Sequence, residues 1–261
     1  MLRRWIILVG FYILGTGAVL ATDQKRGVTS PRLELACSIG ASMRPQALLY
    51  RDITDQMARR AGYDVVFSEY PWVRALSEFR AGRLAGIYCL SHIPEREAFS
   101  HYFPVPFYSA QISLFKIKSN PLSSGSLEDW LRQSIAVQKD SYNANQLTAR
   151  GATNLIYVFN DEVECRLLRS GRVTFLVSDQ VSPCSGKNGG SATGERDVVQ
   201  VGPPVAIDRL YLGISRAYPG QAKIMQDLQQ AFMAMVRDGE LTRIYQHHNM
   251  ALPDEVKAMK K

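Results

Sequence analysis

Arg32-Leu-Glu-Leu-Ala-Cys-Ser-Ile39, Tyr63-Asp-Val-Val-Phe67 and Leu84-Ala-Gly-Ile-Tyr-Cys-Leu90 are three short apolar runs separated by two stretches of different rhythm. Short runs of this kind, bounded by turn residues, read as strands. Gly40 to Pro45 punctuates the first of them as a loop. From Gln46 to Ala61, Leu48, Leu49, Ile53, Met57 and Ala61 recur at helical spacing, with Gly62 as the stop. Pro71 opens a second helix to Arg80, in which Val73, Leu76 and Phe79 keep that spacing, and Gly82 closes it. Strand, helix, strand, helix, strand requires crossover connections, and therefore parallel pairing in an α/β layer.

The pattern restarts beyond Pro104-Val-Pro106. Gln111-Ile-Ser-Leu-Phe-Lys-Ile117 is extended, Asn120 to Ser126 is a polar turn, Leu127 to Leu131 is a short helix, and Ser134-Ile-Ala-Val-Gln138 is a strand. Glu162 to Arg169 reads as a helix closed by Ser170-Gly171, and Val173-Thr-Phe-Leu-Val177 as a buried strand. Ser185 to Gly194 has the composition of a surface loop. A strand at Arg209-Leu-Tyr-Leu-Gly-Ile214 precedes an amphipathic helix, Gln221 to Arg237, with Ile224, Leu228, Phe232 and Met235 on one side and Gly239 beyond it. Leu241 to His248 makes one more short helix. Two α/β units facing each other form a cleft outside the carboxyl ends of their strands, where ligands sit and about which a hinge can close.

The 261 residues are 46% hydrophobic and 21% charged, which excludes a collagen-like, disordered or coiled-coil chain. A formal charge of +7, from 31 Lys+Arg against 24 Asp+Glu, is spread along the chain and not clustered as a nucleic-acid footprint would be. Residues 1–21 begin with Arg3 and Arg4, continue apolar from Trp5 and end in small residues. That is the form of a secretory signal cut after Ala21, and a retained membrane anchor is its rival. Export makes the even set of Cys37, Cys89, Cys165 and Cys184 a disulfide set before a metal set, since no C-x-x-C pair occurs.

Pro71-Trp-Val-Arg-Ala-Leu76, Arg80-Ala-Gly-Arg-Leu-Ala-Gly-Ile87, Ile93-Pro-Glu-Arg-Glu-Ala-Phe99 and Pro106-Phe-Tyr108 together resemble the family 3 extracellular solute-binding proteins. These are the polar amino-acid-binding components of ABC importers, with the two-lobed type II periplasmic-binding-protein fold. Leu168-Arg-Ser-Gly-Arg-Val-Thr-Phe-Leu-Val-Ser-Asp179 resembles the family's second-lobe strand, and Tyr211 to Arg216 with Met235 to Ile244 its return to the first lobe. The resemblance implies an α/β fold of two lobes, each a mainly parallel sheet flanked by helices. Lobe one would span 28–110, lobe two 111–204, and 205–261 would return to lobe one. It further implies that the Arg96 guanidinium grips a solute carboxylate, that Asp179 receives an ammonium group, and that Ser91, Trp72 and Ser141 line the site. Within-lobe disulfides, Cys37–Cys89 and Cys165–Cys184, are the pairings it favours. The chain departs from the pattern where Ile93 replaces a threonine, where Asp140-Ser141 replaces Gly-Thr at a helix start, and where the family's strand aspartate is Ala85 in one lobe and Thr174 in the other.

The expected function is therefore that of a monomeric periplasmic receptor. It would capture a small polar solute, an amino acid or related carboxylate, without cofactor, metal or nucleic acid, and pass it to a membrane ABC permease or a sensor protein. The alternative is a periplasmic lyase of cyclohexadienyl-dehydratase type. No G-x-S-x-G, H-E-x-x-H or Walker motif supports catalysis, and of the four histidines only His92 and His101 fall near the expected cleft.

Overall fold

The computed structural model describes residues 30–38, 44–122, 125–179, 184 and 197–259. The expected signal segment, 1–21, and the loop 185–194 lie outside these residues. Among the described residues no helix is long and apolar enough to cross a membrane.

The leading half folds as its periodicity requires. Strand β1 (Arg32–Ser38), helix α1 (Pro45–Arg60), strand β2 (Asp64–Tyr70), helix α2 (Trp72–Arg80) and strand β3 (Gly86–Ser91) follow in order. β1 pairs in parallel with both β2 and β3, as crossover connections through α1 and α2 require. Pro45 occupies the first turn of α1, where its missing N–H costs no helical bond, and Ala47, Leu49, Tyr50, Ile53 and Met57 supply the buried face. A 3-10 turn over Pro94–Ala98, β4 (Ser100–Tyr102) and the long β5 (Tyr108–Ile117) come next.

Helix α3 (Leu127–Leu131) opens on a capping box between Ser126 and Asp129. It leads to β6 (Ile135–Gln138), α4 (Tyr142–Ala149), β7 (Leu155–Val158), α5 (Asp161–Arg169) and β8 (Phe175–Ser178). β6 pairs in parallel with β7 and β8, giving a second α/β unit. The chain returns through β9 (Val198–Ser215), then α6 (Gln221–Arg237), α7 (Glu240–His247) and α8 (Asp254–Ala258).

Among the described residues, nine strands belong to one curled, hydrogen-bonded sheet ordered β2-β1-β3-β9-β5-β8-β6-β7, with β4 also on β9. Two parallel units are thus joined by the antiparallel pair β5–β9, which runs from one lobe into the other. The β9 strand corrects the sequence reading, which placed a strand only at Arg209–Ile214. Gly202-Pro203-Pro204 looks like a break, because proline cannot donate to a ladder. The structure absorbs it in a bulge. Ile112 opposes Ala206 and Leu114 opposes Val201, so residues 202–205 of β9 arch past Ser113, which pairs with Ser178 on its other side. Strands β4 and β7 and helix α8 were also not read from the sequence, whereas α4 starts at the Asp140-Ser141 position where the resemblance placed a helix N-terminus.

Separate cores fill the two lobes. In lobe one, Leu35, Leu49, Ile53, Met57, Tyr88, Phe103, Phe107, Leu228 and Phe232 pack together, among others. In lobe two, Ile112, Leu114, Leu131, Ile135, Val137, Leu147, Phe175 and Val177 do so. Tyr108 and Leu210, opposite one another on β5 and β9, touch both cores and mark the crossover. All four cysteines are paired, each bond within one lobe. Cys37–Cys89 ties β1 to β3 with Cα atoms 5.8 Å apart, and Cys165–Cys184 anchors α5, at 5.4 Å.

Candidate functional site: an acidic cavity between the lobes

A cavity of about 130 Å³ lies where the lobes meet. Ser38, Arg44, Gln46, Tyr50, Trp72 and Ser91 face it from lobe one. Gln138, Ser141, Asp161, Glu164, Ser178 and Asp179 face it from lobe two, with Asp208 on the connecting strand β9. Its place at the ends of β1, β3, β6 and β8 is where an α/β sheet offers exposed loop and helix termini to a ligand.

The cavity is closed by contacts between the lobes. Arg44, just ahead of α1, donates Nη1 to Asp179 Oδ1 at 2.8 Å and pairs through Nη2 with Asp161 at the start of α5. Burial draws the Arg44 pKa down, but Asp179 and Asp161 outweigh it and hold the guanidinium above its ordinary value. Gln138 of lobe two reaches Ser38 Oγ of lobe one at 3.5 Å, while Tyr142 Oη donates to Ile207 O on the connecting strand β9 at 2.8 Å.

Asp140 lies in the turn between β6 and α4 with φ at 56°, a left-handed conformation that aspartate tolerates better than most residues. Its carbonyl oxygen accepts from Trp72 Nε1 at 3.0 Å and from Arg96 Nη2 at 2.8 Å. Arg96 Nη1 donates to Ser91 O at 3.0 Å, and its guanidinium lies 5.1 Å from the Trp72 ring. The fork expected to grip a solute carboxylate therefore holds two backbone carbonyls. Arg96 is 4% exposed and is not among the cavity-lining residues.

The other expected residues do line the cavity, each already engaged. Ser141 caps α4, its hydroxyl accepting from Ala144 N at 3.1 Å. Ser91 donates its hydroxyl to Asp208 Oδ2 at 2.7 Å. Asp179 is held by Arg44, and Trp72 by Asp140. His92 and His101 lie outside the cavity lining; His92 contacts Glu97 and the Tyr102 ring, and His101 contacts Arg216.

Four residues that the sequence reading passed over dominate the electrostatics: Arg44, Glu164, Asp208 and Tyr50. Glu164 is buried on α5, and burial, then Asp161, pushes its pKa far up, against the opposing pull of Arg44. A signal for it was present, since Glu164 stands four residues before Leu168 on the stripe that faces the core. Asp208 is pushed up to about 7, chiefly by burial, with Ser91 and Arg96 pulling the other way and Asp179 adding to the rise. Tyr50 is driven well above its usual value by burial and by the nearby Asp179.

No protein-family profile matches the chain, and no curated protein matches it. Solved structures do. A histidine kinase sensor domain described as similar to periplasmic binding proteins is 18% identical with a TM-score of 0.72, covering 86% of this chain and 99% of that one. An L-cystine ABC transporter protein from Listeria monocytogenes is 17% identical with a TM-score of 0.64, covering 83% and 95%. The glutamate-bound GluR0 ligand-binding core from Nostoc punctiforme is 15% identical with a TM-score of 0.63, covering 82% and 98%. The chain has the two-lobed fold of the periplasmic binding proteins. At these identities the likeness is one of architecture.

Proposed function

We propose that this chain is an exported, monomeric solute-binding receptor of the family 3 type. It closes its two lobes around a small polar solute, an amino acid or a related molecule, and presents the closed form to a membrane partner. The observation that carries this reading is the cavity at the β5–β9 crossover, lined by charged side chains from both lobes and bridged by Arg44, Asp161 and Asp179. A ligand that contacts both walls favours the closed state by the difference between its affinities for closed and open forms. Arg44, the guanidinium that lines the cavity, takes the carboxylate-binding role expected of Arg96, since a planar fork can exchange an aspartate for a solute carboxylate. Solved proteins of this fold include both a kinase sensor domain and an ABC transporter protein, so the partner is a sensor or a permease.

A thermal-shift screen against amino acids, small carboxylates and amines tests the reading. A solute at 100 times its Kd adds about 2.7 kcal/mol of apparent stability. A saturable shift with the solute recovered unchanged supports a receptor; turnover of the added compound or a flat screen counts against it.

A further inference from the structure

Strands β1 and β3 form one wall of the cavity, and their pairing ends short of it. Among the described residues the two share a ladder at Leu35 with Gly86 and at Ala36 with Ile87, and not beyond. β1 runs on to Ser38 in register with β2 as far as Tyr70, while β3 bulges after Ile87 and rejoins β9 at Leu90 and Ser91. A seam therefore separates a β2–β1 strip from a β3–β9 strip where Ser38 and Ser91 line the cavity. The Cys37–Cys89 bond spans that seam, and both cysteines line the cavity as well. Away from the cavity the strips are held together by Trp72, Phe79, Ile87 and Leu90, which pack as one cluster. Contacts to lobe two leave from both sides of the seam. Trp72, which follows β2, and Arg96, which follows β3, converge on Asp140 O. Ser38 on β1 accepts from Gln138, and Ser91 O on β3 holds Arg96. These contacts need the two strips in one relative position, and the disulfide fixes it covalently. Cys89 is half-buried, whereas Cys37, Cys165 and Cys184 are buried, so a reductant meets this bond first, at Cys89.

We propose that Cys37–Cys89 is a redox-sensitive clamp on this cavity: its reduction lets the two strips part at the cavity wall, loosens the shared hold on Asp140 and weakens solute capture. The co-reactant is a dithiol. One of its thiolates attacks Cys89 Sγ, the S–S bond breaks, and the electron pair leaves on Cys37 Sγ, which takes up a proton. The second sulfur of the dithiol then closes on the first and releases Cys89 as a thiol. The dithiol is thereby oxidised to a disulfide by two electrons, and the protein is reduced by the same two. Cys165 and Cys184 are not among the cavity-lining residues, so opening their bond leaves the wall in place. The effect on solute rests on the receptor reading; the parting of the strips does not.

Titration of the purified protein with dithiothreitol tests this, with differential alkylation to identify the open bond and amide hydrogen exchange to follow the backbone. Cys37–Cys89 is expected to open at a lower dithiothreitol concentration than Cys165–Cys184. Exchange then accelerates about tenfold or more in residues 35–38 and 86–92, while 135–138 and 161–178 keep their protection. A solute found in the thermal-shift screen binds about tenfold or more weakly to the opened form. Cys37→Ser/Cys89→Ser reproduces both effects without reductant, and Cys165→Ser/Cys184→Ser reproduces neither. Unchanged exchange along the seam in the first of these variants overturns the clamp. Exchange that rises equally in both lobes also overturns it, because the bond is then a staple for the whole fold. Undiminished solute binding by protein with this bond open overturns it as well. Faster exchange confined to the seam, beside a solute screen with no binder, supports the clamp and counts against the receptor reading.

Discussion

Trp72 and Arg96 share one acceptor: the indole Nε1 and the guanidinium Nη2 both donate to the carbonyl oxygen of Asp140, at 3.0 and 2.8 Å. The donors belong to lobe one and the carbonyl to lobe two, so a single backbone atom latches the closed form. Arg96 also holds Ser91 O, and the hydroxyl of that same serine holds Asp208. The latch and the cavity wall are thus one hydrogen-bonded chain.

Arg96→Ala strips a donor from two carbonyls at a site that is 4% exposed, and destabilises the solute-free protein by about 2–4 kcal/mol. Chemical unfolding without any added solute measures this. An arginine whose only work is to bind solute would leave that curve unmoved.

Arg44→Met removes the ion pairs that cross from lobe one to Asp161 and Asp179 and leaves those acids facing Glu164. With Arg44 partly exposed, the loss of stability is about 1–3 kcal/mol. The sharper expectation concerns shape: the solute-free variant populates the open form, and its radius of gyration from small-angle scattering exceeds that of the wild type.

Asp208 gives a pH dependence of unusual sign for an aspartate. Its carboxyl is pushed up to about 7 in the fold, from an unfolded value of 3.8. Between those values the folded state holds a proton that the unfolded chain has lost, so stability falls as pH rises from about 4 to about 7 and levels off above. The full span corresponds to roughly 4 kcal/mol at about 1.36 kcal/mol per unit. Asp208→Asn therefore stabilises the solute-free protein at pH 8 and changes little at pH 4; melting curves at the two pH values read the difference directly.

The Cys37–Cys89 bond closes 52 residues and Cys165–Cys184 closes 19. Loop-closure entropy assigns them about 4 and about 3 kcal/mol respectively. The Cys37→Ser/Cys89→Ser pair of substitutions is expected to lower the midpoint of unfolding more than Cys165→Ser/Cys184→Ser does, and non-reducing peptide mapping identifies the two bonds.

The βαβαβ order of lobe one was legible because Leu49, Ile53 and Met57 keep a helical period while the flanking runs are short and apolar. The ends of those elements shift by one to three residues, since a cap is set by geometry that period does not encode. The span Val198–Asp208 was lost to Pro203-Pro204, whose accommodation depends on a bulge opposite Ser113 that no local pattern announces. The site divides in the same way. Ser91, Trp72, Ser141 and Asp179 could be placed by motif order. Arg44 and Asp208 could not, because one sits beside a loop and the other in an unread strand, and only the folded crossover brings them together. For Arg96 the resemblance indicated a fork on a solute carboxylate; the fold sets that fork on Ser91 O and Asp140 O, and the second of these reaches it only because the lobes meet.

A crystal structure of the protein grown with the best solute from the thermal-shift screen tests the central claim most directly. The account predicts solute density inside the crossover cavity, in contact with both lobes and with an oxygen on the Arg44 fork. Density on an outer face of either lobe, with the cavity empty and the Arg44–Asp179 pair undisturbed, would contradict it.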